Sequence, residues 1–157
     1  DSRPKQNYRR CQKRAPSVRF YPLEMFNTAR SAYRSPQIEH AYAQQLLINA
    51  DRVASWAAAE PLVQEAVRDL RALESQTWEA DSYPIVALAE GHVKVFKKFH
   101  SEEQSRNLAK DYANELQRLR QRVSNDRLEE AAANLLAYAA TGVWTDSKRA
   151  LDAEWDT

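Results

Sequence analysis

Residues 84–123, PIVALAEGHVKVFKKFHSEEQSRNLAKDYANELQRLRQRV, decide the fold class. Ile85, Leu88, His92, Val95 and Phe99 recur at steps of three and four, one face of a helix that opens near Pro84. Ser101 and Gln104 then form a capping-box pattern, in which the two side chains satisfy N–H groups left over at a helix start. Glu102 and Glu103 follow, favourable against the positive end of the helix dipole. Leu108, Tyr112, Leu116, Leu119 and Val123 make a second apolar stripe, which extends this helix to Val123. Two amphipathic helices joined by so short a connection pack antiparallel.

The same grammar extends in both directions. A first helix is expected from Pro22 to Arg34, with Phe26, Ala29 and Tyr33 on its apolar side. Ser35-Pro36 reads as the cap and first turn of a second helix carrying Ile38, Tyr42, Leu46, Ala50 and Val53. Trp56 and Pro61 mark the next junction. Pro61 is expected in the first turn of a third helix, the alternative being a kink in a longer one. Val63, Ala66, Leu70, Leu73 and Thr77 step three, four, three, four, close to a heptad seam. Residues 75–83 (SQTWEADSY) read as a loop. Ser124-Asn125-Asp126 is a turn and cap before a sixth helix with Leu128, Ala132, Leu135 and Ala139, and Gly142 is placed to stop it. The fold class is therefore all-α, about six helices in antiparallel hairpins, arranged as a helical repeat or a bundle. Residues 1–21 read as a basic arm or linker, 22–142 as the helical domain, and 143–157 as a C-terminal tail. In that tail Leu151 and Trp155, four apart, can form one more short helix.

Composition agrees. The chain has 157 residues, 43% hydrophobic and 29% charged, with only two glycines, so tight hairpins and glycine-rich phosphate loops are disfavoured. Its longest apolar stretch, 131–140, is too short to span a bilayer, and no secretory signal precedes it. A single cysteine, Cys11, excludes an internal disulfide and a multi-cysteine zinc site. The start at Asp1 suggests a piece of a longer polypeptide, the alternative being a processed protein; the alanine- and arginine-rich composition suggests a bacterial origin, and a cytoplasmic location is expected. Charge is uneven: residues 1–34 hold nine Arg/Lys against two acids, net +7, while residues 35–157 hold fourteen against twenty, net −6.

The stretch from Ala87 to Asp126 resembles a tetratricopeptide repeat. Ala89 and Gly91 sit where that family places a close helix contact, and Ala109, Ala113 and Leu116 match the spacing of its second helix. The family's proline after the second helix and its usual turn glycine are absent. The resemblance covers about a quarter of the chain and implies a solenoid that docks a peptide or a neighbouring domain, without catalysis. Aligning 35–56 with 83–104 at an offset of 48 pairs Ala41 with Ala89, Leu47 with Val95 and Ile48 with Phe96, a match that any two amphipathic helices would approach.

Functional candidates divide into three groups. Arg3, Lys5, Arg9, Arg10, Lys13, Arg14 and Arg19, interleaved with Tyr8, Phe20 and Tyr21, can neutralise phosphates and stack on bases. Trp144, Leu151 and Trp155 are candidate partner contacts, since aromatic side chains anchor protein interfaces; Trp155 leads them. Trp56 and Trp78, near helix junctions, are expected to plug the ends of the core. His92 with His100, Glu90 and Glu103 nearby suggests acid–base or metal chemistry, but the Glu-x-x-His and His-x-x-x-His spacings are missing, so a half-buried His92 with one hydrogen-bond partner is expected. Gly91 reads as close packing, Cys11 as an exposed thiol beside basic residues, and Glu102-Glu103 and Glu129-Glu130 as compensation of helix dipoles. No cofactor, no enzymatic activity and no small-molecule ligand is expected. The sequence favours a non-enzymatic protein–protein interaction or assembly module, with a nucleic-acid-associated subunit as the alternative.

Overall fold

The structure is a computed structural model, and it describes residues 21–32, 35–74, 84–123 and 125–145. Six helices occupy them: α1 Tyr21–Ala32, α2 Pro36–Arg52, α3 Trp56–Leu73, α4 Pro84–Phe99, α5 Glu102–Arg120 and α6 Asp126–Thr141. There is no strand among the described residues, so the all-α fold class holds. None of these helices is long and apolar enough to cross a membrane.

Local chemistry sets most of the helix ends. Ser35, Ser55, Ser101 and Asn125 each have extended backbone and accept a hydrogen bond from an N–H of the first turn, at 3.2 Å in every case. Ser101 and Gln104 complete the capping box. Gly142 takes φ 75°, the left-handed region that favours glycine, and its N–H donates to the carbonyl of Tyr138. A side chain there would also meet the Glu102 carboxylate.

Two boundaries differ from the sequence reading. Helix α5 ends at Arg120, three residues before Val123. Helix α3 begins at Trp56 under the Ser55 cap, which places Pro61 inside it, beyond the first turn. Proline is tolerated there because the carbonyl it leaves unpaired belongs to the exposed Ala57, where water can bond it. Thr77 and Trp78 lie outside the described residues.

Each helix packs on the next, and α4 also packs on α2 and α6. Helix α4 is thus the hub. It buries Ile85, Leu88 and Val95 along the expected stripe, and also Val86, Ala89 and Val93, which the single-stripe reading omitted. At Gly91, α4 lies close against α2: an added Cβ would stand 2.5 Å from Leu47 Cδ1. The core continues through Leu46, Leu70, Leu116, Leu128 and Leu135, all essentially inaccessible. The helices show no tetratricopeptide-like repeat, although residues 87–120 do lie in the α4–α5 hairpin.

Candidate functional site

A cluster of polar and aromatic side chains lies where α3, α4 and α5 meet. His92 and Tyr112 both come from apolar stripes, and the antiparallel α4–α5 hairpin brings them face to face. His92 Nδ1 lies 2.7 Å from the Tyr112 hydroxyl, with the rings edge-to-face at 5.6 Å. The sequence expectation of a half-buried His92 with one hydrogen-bond partner is met.

Burial sets the protonation of the pair. It pushes the His92 pKa down to about 4, helped by the positive Arg71 and by His100. It pushes the Tyr112 hydroxyl up to about 12, against the pull of the nearby Arg71. Both groups are therefore neutral near pH 7. A base so weak beside an acid so weak makes a poor proton-transfer pair at that pH, where efficient catalysis wants a pKa near the working pH. It makes a good neutral hydrogen bond across a helix interface.

Arg71 on α3 completes the joint. Its guanidinium forms a forked pair with the Glu115 carboxylate on α5, one branch at 3.0 Å, and reaches Glu74 at 2.9 Å. It also sits 5.8 Å from the centre of the Tyr112 ring. A band of rings continues along α4 toward its C-terminus. His92 meets Phe96 edge-on at 6.0 Å, Phe96 stacks flat on His100 at 3.6 Å, and Trp56 from α3 closes on His100 at 4.5 Å. The His100 Nδ1–H donates to the Phe96 carbonyl at 2.9 Å. Trp56 thus plugs one end of the core, as expected, against Phe96, Phe99 and His100.

The sequence did not identify the partner of His92 or the ion pair beside it. Arg71 and Glu115 lie 44 residues apart, and nothing local marks them as a pair. Tyr112 was legible in principle: His92 and Tyr112 lie at similar distances on either side of the Ser101 turn, where antiparallel helices place residues opposite each other. Among the described residues no group of three or more His, Cys, Asp or Glu is placed to hold a metal ion.

Other sequence-derived candidates fare differently. Arg3, Lys5, Arg9, Arg10, Lys13, Arg14, Arg19 and Cys11 lie outside the described residues, as do Leu151 and Trp155. Trp144 is described and half-buried. It packs edge-on against Tyr138 at 5.5 Å, with Lys97 Nζ 6.0 Å from its ring, and its buried indole N–H has no hydrogen-bond partner among the described residues. Glu102 and Glu103 lie in the first turn of α5 and Glu129 in that of α6, consistent with dipole compensation. Arg106 from α5 caps the other end of α6, donating to the carbonyls of Ala139 and Ala140 at 2.9 and 2.6 Å.

Comparison with protein families, with curated proteins and with solved structures finds no match to this chain.

Proposed function

We propose that the chain is a non-enzymatic protein–protein interaction or assembly module acting in the cytoplasm. The observation that supports this reading is the His92–Tyr112 joint. The residues best equipped for acid–base chemistry are neutral and engaged with one another between helices. Binding then falls to outward faces and to the C-terminal region, with Trp144, Leu151 and Trp155 as the contacts. The test is capture of partners by the intact chain, followed by reconstitution with the purified candidate. Binding that survives nuclease and weakens at least about tenfold on Trp155→Ala is expected, the loss of a hot-spot aromatic. Binding that collapses with nuclease overturns the reading.

A second reading rests on the charge split, net +7 before Ser35 and net −6 after it. In it the seven basic residues from Arg3 to Arg19 bind nucleic acid phosphates. A fluorescein-labelled single-stranded 20-mer, followed by anisotropy, tests it. Seven neutralised phosphates give a log–log salt slope of about −5, and binding should vanish when residues 1–20 are removed. Equal binding by the shortened chain would sink it.

A further inference from the structure

Helix α6 leaves an apolar face open. From residue 133 to residue 140 its exposed positions are Ala133, Leu136, Ala137 and Ala140, and Val143 extends the stripe beyond the Gly142 turn. Leu136 is 41% and Val143 66% exposed, two of the four large hydrophobic side chains exposed among the described residues. The charged residues Asp126, Glu129 and Glu130 occupy the exposed side of the first half of α6 only. Helix α6 packs on α5 and α4, and the opposite side faces out.

We propose that this face is the seat of the chain's own residues 146–157, docked through Leu151 and Trp155. Three considerations select that occupant. The first is reach. Five residues separate Thr145 from Leu151, and the six steps between them can span about 20 Å when extended, whereas a helix with its side chains is only about 10–12 Å across. The second is pattern. Leu151 and Trp155 are four apart, one helical turn, as are Leu136 and Ala140 on the seat. Glu154 and Asp156 flank the tryptophan, which suits the uncharged second half of α6 and not its acidic first half. The third is area. A stable complex between separate molecules buries about 1,200–2,000 Å², and a stripe of three alanines, one leucine and one valine offers far less. A tethered segment needs no such area, because the tether supplies an effective concentration in the millimolar range. A partner that takes Trp155 must then take it from α6.

The test uses the full chain with 5-fluorotryptophan, whose Trp155 resonance is assigned by its loss in Trp155→Phe. The expected result is a Trp155 signal displaced from its position in denaturant and unchanged over a ~100-fold dilution, which the tether guarantees. Leu136→Glu should return that signal to the denatured position while the Trp56 signal stays. Leu151→Glu, in the tail itself, should do the same and decides the matter if Leu136→Glu disturbs Trp56. A Trp155 signal already at the denatured position in the unaltered chain overturns the proposal. So does a displacement lost on dilution, which means a second copy, or one that both variants leave in place.

Discussion

Helices α4 and α1 are both amphipathic, yet different physics holds them. Helix α4 touches α2, α3, α5 and α6 and is buried on more than one side, with seven buried residues from Pro84 to Val95. Helix α1 packs chiefly on α2 through the half-buried Leu23 and Phe26, and none of its described side chains is fully buried. Polar pins do the rest there. Arg30 bonds Glu39 at 3.0 Å and lies 4.0 Å over the Tyr42 ring, while the Tyr42 hydroxyl donates to Glu65. The difference teaches where stability resides: apolar area removed from water contributes most at the hub, and individually modest charged contacts hold the end.

That contrast can be broken in order of expected effect. Leu88→Ala at the hub should destabilise the chain by about 2–5 kcal/mol in urea unfolding, the cost of a buried cavity. A loss below about 0.5 kcal/mol, typical of surface positions, would mean that α4 is not central.

Acid comes next. An unfolded histidine titrates near 6.5, whereas burial, Arg71 and His100 hold folded His92 at about 4. Between those two values the unfolded chain binds the extra proton, so stability should fall as pH drops through the window, by up to about 3 kcal/mol. His40, pushed down by burial and by Arg127, adds to the slope. Asp69 and Glu74, pushed up chiefly by burial, oppose it at the acid end. The His92 share is the slope lost in His92→Gln. An unaltered slope would show that His92 titrates as it does in water.

The α2–α4 approach is tested by Gly91→Val, which drives a side chain into Leu47. It should cost about 1–3 kcal/mol as overpacking, and less when Leu47→Ala has already opened the space. Equal costs in both backgrounds would separate Gly91 from Leu47. The smallest effect belongs to α1. Arg30→Ala should lower global stability by about 1 kcal/mol, the upper end for an ion pair near the surface, because Arg30 and Glu39 are half-buried, yet speed amide exchange within residues 23–32.

Much of this fold was legible because its signals are local. Ser35, Ser101, Asn125 and Gly142 act within one turn of themselves, so their sequence signature and their geometry coincide. The stripes through Leu46, Leu70, Leu116 and Leu135 were read for the same reason. The misreadings were tertiary. Pro61 obscured the true start of α3, because the Ser55 cap and tolerance of one missing bond outweighed it. Leu47 and Val93 escaped because one stripe cannot reveal a helix with neighbours on several sides. Of the candidate site, His92 and its single partner were foreseen as a type. The identities of Tyr112, Arg71 and Glu115 depend on how three helices cross.

Native-state hydrogen exchange compares hub and end in one experiment. The amides of Val93 and Val95 should exchange only through global unfolding, with the denaturant dependence of the whole chain, while those of Phe26 to Arg30 open locally at much lower free energy. If α1 proved as protected as α4, or if α4 opened before α1, the hub would lie elsewhere and the account would fail.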